Sequence, residues 1–285
     1  MDEIVFLNGS FMPLGEAKVP VTDYGFLFGY GLYETLRVYQ GKFFRLDAHL
    51  KRLNKSAQTL SIPLDIGKIK EIILETTKRN PFENGRMRLT LTPGPGNLVL
   101  DPDSCKNPTI LCTVVQYKPF PPETYTKGYS TIVFNGRRNS QSIITGMKAT
   151  CFIESSLAKQ KAHQMQADDA LLLNEKGLLA EASSSNVFVV NHGVVKTPKT
   201  GGGSLPGITC QVIIELTCSL GLKFKEADIR LSELKTVDEV FLTNSMFEVL
   251  PVVKIDGRPV GSGKPGAITT KLAAAYKQLV QAELV

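Results

Sequence analysis

The stretch "LLLNEKGLLAEASSSNVFVVNHGVV", residues 171–195, constrains the fold of this chain more than any other. Its apolar runs are separated by Glu-Lys-Gly at 175–177 and Asn-His-Gly at 191–193, which are typical of tight turns. The runs therefore predict buried strands of a sheet. One acid, Glu181, lies among small and hydroxyl side chains between them. Since a buried carboxylate is costly without a cation beside it, Glu181 marks a site if it faces a buried cation, and says little if it faces water.

The composition is that of a globular chain with a mild positive excess. The 285 residues are 42% hydrophobic and 21% charged, enough for one large domain or two of ordinary size. The 33 basic residues against 27 acidic ones give a net charge of +6, and the basic residues are scattered. This distribution argues against nucleic acid as a partner and suits a small anionic substrate.

The five cysteines are odd in number and contain no C-x-x-C pair, and the chain has three histidines. A metal site held by the protein is therefore not expected. Free thiols, together with the absence of a leader and of an apolar run of membrane length, predict a cytoplasmic protein without a membrane partner.

Strand and helix patterns mix throughout the chain, which predicts an α/β or α+β fold in two parts. Residues 1–117 form the smaller part, with a hairpin around Asn8-Gly9 and helices in "LDAHLKRLNKSAQTL" and "DIGKIKEIILETTKR". Residues 118–127, which overlap the proline-rich "YKPFPPETY" at 117–125, are interpreted as a linker. Residues 128–285 form the larger part, which the family resemblance described below implies is the cofactor-binding one.

Glycine-rich segments raise two possibilities for phosphate binding. "GGGSLPGITCQV" leads into a predicted helix, so the N–H groups of Ile208 and Thr209 suit a phosphate, although an ordinary helix cap explains the same letters. "FGYGLYE", residues 28–34, lacks the third glycine of a nucleotide-binding fingerprint, so that interpretation is rejected.

Two basic residues are candidates for chemistry. Lys148 has small or apolar neighbours, and partial burial lowers the pKa of a lysine, as an imine-forming amine requires. The alternative is a solvated lysine near a helix end. Arg52 lies with His49 and Ser56 on the polar side of its helix. On the spacing alone, this side is interpreted as a face exposed to solvent.

Several motifs in order, "FGYGLYETLRVYQGKFFRLDAHLKRL", "MKATCFIESSLAKQKA", "SLPGIT" and "DEVFLTNSMFEVLPV", resemble the fold-type IV pyridoxal-phosphate enzymes, the class IV aminotransferase family. The resemblance spans nearly the whole chain. It implies two α/β domains with the cofactor at their interface, and a homodimer whose partner subunit helps to close the site.

The resemblance also implies roles for individual residues. Lys148 would form the imine with pyridoxal 5'-phosphate and move the substrate proton, and Glu181 would pair with the pyridine nitrogen and keep it protonated. The remaining expected cofactor-binding residues are Arg52, Leu205, Ile208, Thr209, Asn244 and Ser245. Phe28, Tyr33 and Arg88 are expected at the substrate, although Arg88 is equally explained as a strand residue facing solvent.

Departures from the resembling enzymes indicate the reaction. Branched-chain aminotransferases carry a tyrosine where this chain has Phe152 and Ile153, and a glycine where it has Thr35. The loop "LTPGPGN" lacks the arginine and histidine of D-amino-acid aminotransferases. The expected function is therefore 4-amino-4-deoxychorismate lyase, which forms 4-aminobenzoate and pyruvate, with Thr35 as a proton donor.

The alternative is a class IV aminotransferase of branched-chain or D-amino-acid type that passes an amino group to a 2-oxo acid. A third hypothesis is a structural or cofactor-binding protein without activity. The presence of both Lys148 and Glu181 argues against this last hypothesis.

Overall fold

A computed structural model of the chain describes residues 3–284 and divides them into two units. The first unit comprises the described residues up to 119, together with 147–151 and 284. The second comprises 120–146 and 152–283. The domain boundaries expected from the sequence, at 117 and 128, stay a prediction about independently folding domains.

The first unit is built around one antiparallel sheet, flanked by helices. Its elements are β1 (Ile4–Leu7), β2 (Ser10–Pro13), α1 (Tyr24–Phe28), β3 (Leu32–Tyr39), β4 (Lys42–Phe43), α2 (Leu46–Thr59), α3 (Ile66–Arg79), β5 (Asn84–Thr92) and β6 (Thr109–Gln116). The β1–β2 hairpin turns at Asn8-Gly9, where both residues have positive φ, so the predicted hairpin is confirmed.

Strand order in this sheet is β2-β1-β6-β5-β3-β4. Alternate side chains of β3 lie on one face with the apolar residues of β5, and this face packs against the apolar sides of α2 and α3. Leu50, Leu53 and Ile73 are among the helix residues buried there. Because Glu34 has the same parity as Leu36, it belongs to this buried face, whereas Tyr33 and Thr35 belong to the other.

Residues 147–151 return to the first unit and pair with the edge of β3. The N–H of Tyr33 donates to the carbonyl of Lys148 at 2.8 Å, and the N–H of Thr150 donates to the carbonyl of Gly31, also at 2.8 Å. A Cβ on Gly31 would lie 3.0 Å from the Thr150 hydroxyl, so glycine suits this close approach. The backbone at Lys148 is thereby fixed against β3.

The second unit contains a larger mixed sheet. Its elements are α4 (Pro122–Lys127), β7 (Tyr129–Arg138), α5 (Ile153–Gln164), β8 (Asp169–Asn174), β9 (Leu179–Ala182), β10 (Asn186–Asn191), β11 (Val194–Pro198), α6 (Ile208–Ser219), β12 (Lys223–Ala227), β13 (Glu239–Asn244), β14 (Glu248–Ile255), β15 (Arg258–Pro259) and α7 (Ala267–Glu283). Among the helices of residues 3–284, none has the length and apolar character that a membrane span requires.

Strand order in the larger sheet is β12-β11-β10-β13-β14-β7-β8-β9, with β15 beside β14. The tight turns predicted at 175–177 and 191–193 join β8 to β9 and β10 to β11, as expected. All six residues of β8 and all four of β9 are buried, so Glu181 lies within a buried strand. Its low exposure makes the question of its partner decisive.

Residues 118–127 are not wholly irregular, as a linker would be. Pro122–Lys127 forms the short helix α4, which begins at a proline and ends at Gly128. Proline is well tolerated at the first position of a helix, because its missing N–H has no partner within the helix there. The proline-rich composition therefore concealed a helix.

Candidate active site

Lys148 and Arg88 share one aromatic ring in the first unit. The amine of Lys148 lies 4.6 Å from the centroid of the Tyr33 ring, and the guanidinium carbon of Arg88 lies 3.9 Å from it. Tyr33 itself is only 7% exposed, so both cations contact a buried ring face or edge with little water between. An amine and a guanidinium around one ring suit a substrate that carries an amine and a carboxylate on one carbon.

Thr35 and Phe28 differ in their relation to this group. Thr35 lies directly opposite Arg88 in the β3–β5 ladder and is buried, so the structure brings it together with Tyr33 and Arg88. Phe28 ends α1, is 40% exposed, and packs edge-on against Tyr24 with the ring centroids 4.8 Å apart. Its expected contact with substrate stays a prediction.

The interpretation of Arg52, His49 and Ser56 as a solvated helix face is wrong. All three side chains are largely buried, because α2 packs this side against β3. Arg52 forms a two-bonded pair with Glu34, Nε to Oε1 at 2.8 Å and Nη2 to Oε2 at 2.6 Å. The Nδ1–H of His49 donates to Glu34 Oε2 at 2.7 Å. The expected contact of Arg52 with a phosphate stays a prediction.

This buried group has strongly perturbed protonation. Burial by itself would raise the pKa of Glu34, but the charge of Arg52 and the hydrogen bond from His49 outweigh it and lower the pKa to about 2. Burial lowers the pKa of His49, against the opposing effect of Glu34. At neutral pH the group is therefore an ionised acid between a guanidinium and a neutral imidazole.

We expect the fold to lose stability in acid in two stages. Both groups have pKa values below their ordinary ones, so each contributes stability above its unfolded pKa that is lost as the pH falls. The contribution of His49 is lost as the pH falls below about 6.5. The contribution of Glu34 is lost as the pH falls from 4.5 towards 2, and its whole loss lowers the free energy of unfolding by about 3 kcal/mol. Free energies of unfolding at pH 7.5, 5.5, 4.5 and 2.5 measure both stages.

The variant His49→Gln separates the stages. It should remove most of the fall between pH 7.5 and 5.5 and retain the fall below 4.5, because Glu34 still titrates. An unfolding free energy that does not change from pH 7.5 to 4 in the wild-type protein would contradict this account.

In the second unit, the cation that Glu181 faces is Arg138. Nη1 of Arg138 donates to Oε1 of Glu181, and the backbone N–H of Leu205 donates to Oε2 at 2.8 Å. Nη2 of Arg138 also donates to Ser155 at 3.0 Å, and Nε lies 3.3 Å from a Glu154 oxygen. The Arg138 and Glu181 side chains are only 14% and 10% exposed. Glu181 thus lies in a fixed, nearly dry setting.

The segment that contains Leu205 leads directly into the start of α6. Ile208 and Thr209 occupy its first turn, and its N-cap, Gly207, offers no side chain to the helix N–H groups. Asn186 Nδ2 donates to the carbonyl of Leu205 at 2.8 Å, and a Cβ on Gly207 would overlap the Asn186 side chain. The close packing of this loop on β10 therefore requires glycine before the helix.

Polar residues also collect where β10 begins and β13 ends, since Asn186 pairs with Thr243. Asn244 accepts the N–H groups of Met246 and Phe247, both at 2.9 Å, which fixes the turn that contains the half-buried Ser245. Within residues 3–284, the Ser185 and Thr243 hydroxyls are buried without a hydrogen-bond partner. Buried polar groups are normally satisfied, so these two hydroxyls mark a place where the chain alone does not complete the hydrogen bonding.

Sequence reasoning missed Glu34 and Arg138. For Glu34 a signal existed, because the alternation of β3 assigns it to the apolar face. For Arg138, which lies 43 residues before Glu181, the sequence holds no comparable signal.

The chain matches the family described as "Amino-transferase class IV" over residues 31–255. It is 37% identical over 278 residues, 96% of each chain, to a protein of Methanocaldococcus jannaschii provisionally named a branched-chain-amino-acid aminotransferase. It is 32% identical to the aminodeoxychorismate lyase of Bacillus subtilis, covering 98% of this chain and 95% of that one.

Among solved structures, a T.th. branched-chain amino acid aminotransferase with pyridoxamine 5'-phosphate superposes with a TM-score of 0.93 at 30% identity. The match covers 98% of this chain and 94% of that one. The chain therefore belongs to the class IV aminotransferase family and is an enzyme of mixed α/β, fold-type IV architecture.

Proposed function

We propose that this enzyme is an aminotransferase that moves the amino group of an α-amino acid to a 2-oxo acid, with pyridoxal 5'-phosphate as cofactor. The observation that carries the proposal is the approach of Lys148 and Arg88 to one ring, that of Tyr33. Transamination needs a base at the carbon that bears the amine and a cation for the carboxylate on that carbon. The similarity to the M. jannaschii and T.th. proteins, both named as branched-chain aminotransferases, supports an aminotransferase.

The residues of the first unit fit covalent attachment of the cofactor and binding of its phosphate. Lys148 is an amine with a fixed backbone, next to a buried aromatic ring that limits its hydration. Arg52 is a buried guanidinium oriented by Glu34, and arginine is suited to phosphate because its N–H groups form a planar fork. We propose that Lys148 binds the cofactor covalently and that Arg52 binds its phosphate.

The residues of the second unit fit the cofactor's ring nitrogen and phosphate. Glu181 is an acid fixed through both oxygens, which suits a protonated pyridine nitrogen. The N-terminus of α6, with Ile208 and Thr209, suits a phosphate because its N–H groups and the helix dipole attract anions. Leu205 would pack on the ring, and Asn244 and Ser245 would complete the phosphate contacts beside the two unpartnered hydroxyls.

When bound, the cofactor supplies an electron sink for the charge released at the substrate carbon. The chain's own residues then do the rest. Lys148 takes the proton from the carbon that bears the amine and returns a proton to complete the transfer. Arg88 holds the substrate carboxylate by charge-assisted hydrogen bonds, which orients that carbon. Glu181 keeps a positive charge on the ring nitrogen favourable.

The lyase is the second candidate, and Thr35 is the observation that favours it. Its hydroxyl lies on the strand face shared by Tyr33 and opposite Arg88, where it would reach a departing enolpyruvyl group. The relation to the B. subtilis lyase supports this candidate as well. A hydroxyl that donates a proton to a leaving group typically contributes about 10²–10⁴-fold to a rate.

One set of assays separates the candidates. The purified, cofactor-loaded enzyme is incubated with a panel of amino acids and 2-oxo acids, and separately with 4-amino-4-deoxychorismate. Transfer of amino groups without 4-aminobenzoate supports the aminotransferase. Formation of 4-aminobenzoate without transfer overturns it in favour of the lyase. For a lyase, Thr35→Val should lower 4-aminobenzoate formation by about 10²–10⁴-fold. For an aminotransferase, it should change amino transfer little.

We also propose a homodimer. In the first unit, Leu98, Val99 and Leu100 are each about 70% exposed in one loop, although the Tyr24 hydroxyl fixes that loop through the carbonyl of Val99 at 2.6 Å. Such an ordered apolar surface suits a second copy of the chain. Sedimentation should give twice the monomer mass of 31.2 kDa.

We propose a cytoplasmic location as well. The five cysteines form no disulfide within residues 3–284, which suits the reducing conditions of the cytoplasm.

A further inference from the structure

Arg138 lies between two carboxylates in the second unit. One of its terminal nitrogens donates to Glu181, and its Nε lies 3.3 Å from Glu154. Its other terminal nitrogen donates to Ser155, which is 2% exposed. The guanidinium is therefore fixed by groups from both β9 and α5, and one of those groups is the proposed cofactor acid.

An irregularity of β7 accompanies this arrangement. The β7–β8 register shifts between Val133 and Arg137, so β7 has extra residues just before Arg138. Arg137 closes this bulge by donating to the carbonyl groups of residues 134, 135 and 136. Bulges commonly redirect the following side chain next to an active site. Here the ladder resumes at Arg137, and the side chain of the next residue, Arg138, contacts Glu181.

We propose that Arg138 is a positioning residue that holds Glu181 in one orientation for the ring nitrogen of the cofactor and sets the net charge around it. This inference rests on the proposed function. Without Arg138, the buried carboxylate of Glu181 would lose the cation that compensates it, and the charge around it would become more negative. With it, the three side chains sum to one negative charge. That balance accommodates one further cation, as a protonated ring nitrogen would be.

Other titratable groups near this cluster do not compete for that role. Cys210 of α6 faces Glu181, but burial raises the pKa of its thiol to about 12, so it is neutral. The charge of Glu226 also raises the pKa of Cys210, and its carboxylate accepts hydrogen bonds from Thr200. The exposed carboxylate of Glu175, whose backbone N–H donates to the Arg138 carbonyl, accepts from Ser140. The Arg137 side chain is held by the bulge.

Removing either charged neighbour of Glu181 should move the bound cofactor's titration in opposite directions. Arg138→Met removes a positive charge, so a cationic cofactor is favoured and the pH midpoint of its absorbance change should rise by about one unit. Glu154→Gln removes a negative charge, so that midpoint should fall. Each unit is a tenfold change in proton affinity. The control Lys161→Met, at an exposed lysine of α5, should leave the midpoint at its wild-type value.

A second variant separates charge from geometry. Arg138→Lys retains the positive charge but not the planar fork, so the midpoint should stay near that of the wild type. The affinity of the apoprotein for pyridoxal 5'-phosphate, measured by fluorescence titration, should fall by about tenfold because Glu181 is less well oriented. For both Arg138 variants kcat should fall while the KM of the amino donor changes little, since Arg138 is proposed to act through Glu181 and not on the substrate.

The outcomes distinguish this inference from the proposed function. If the wild-type protein binds the cofactor and turns over substrate, but the Arg138→Met and Glu154→Gln midpoints both equal the wild-type value or move together, only the inference about Arg138 is overturned. If the wild-type protein binds no cofactor, the proposed function fails first. If Arg138→Met does not fold, the fall expected for Glu154→Gln and the unchanged midpoint of Arg138→Lys still decide the question.

Discussion

Replacing Lys148 by alanine should abolish turnover, with kcat reduced by about 10⁴–10⁶-fold, because no other group can replace a covalent amine that also moves the proton. The fold should be nearly unaffected. The hydrogen bond from Tyr33 reaches the backbone carbonyl of Lys148, which the substitution leaves in place. Steady-state kinetics and the free energy of unfolding of the same preparation measure both expectations.

The matched control is Lys161→Ala. Lys161 is an exposed lysine on α5, and it should retain wild-type kinetics. Borohydride reduction followed by peptide mass spectrometry should find the cofactor attached at Lys148 in the wild-type protein and in this control. Normal turnover by Lys148→Ala, or attachment at another lysine, would exclude Lys148 from the role proposed for it.

The parts of the fold that the sequence predicted are those set by local periodicity. Leu50, Leu53 and Ala57 repeat at helical spacing and are all buried in α2. The alternation of "RMRLTLT" predicted β5, and the glycine turns predicted the hairpins of the larger sheet. Each of these features depends on residues close in sequence, so a single sequence carries the information.

The partners of charged side chains depend on packing between distant elements, and sequence reasoning failed there. Arg52 and Glu34 are 18 residues apart, and their pairing requires that α2 cross the inner face of β3. Taken as a helix alone, α2 assigned Arg52 to solvent. Taken as a strand, β3 assigns Glu34 to the apolar face, and an acid there requires a cation nearby. Combining the two patterns would have predicted the pair.

The question about Glu181 shows the same limit. Its surroundings correctly indicated a buried acid that needs a cation, and resemblance suggested the cofactor. The structure adds Arg138. Its contact with Glu181 accompanies a bulge in β7 that no local sequence pattern predicts. A sequence can thus indicate that a charge is compensated without indicating which residue compensates it.

The largest stability effect should come from Glu34→Gln. The substitution is nearly isosteric but leaves the buried guanidinium of Arg52 without a carboxylate, and it replaces one of the two oxygens that accept from Arg52 and His49 by an N–H donor. Breaking a buried ion pair on one side typically costs about 3–5 kcal/mol, because an uncompensated charge stays in a poorly hydrated place. Urea unfolding at pH 7.5, extrapolated linearly to water, measures the loss.

Two comparisons make the Glu34 result specific. Asp47→Asn breaks the ion pair in which Lys70 Nζ lies 2.7 Å from Asp47 Oδ1. The Asp47 and Lys70 side chains are 81% and 45% exposed, so this substitution should cause little loss of stability. The double variant Glu34→Met with Arg52→Leu removes both buried charges and should recover much of the stability that Glu34→Gln loses, since apolar replacements of a buried pair are often tolerated. If Glu34→Gln is no less stable than Asp47→Asn, Glu34 does not hold Arg52 in the folded protein, and the acid sensitivity expected from its lowered pKa should be absent as well.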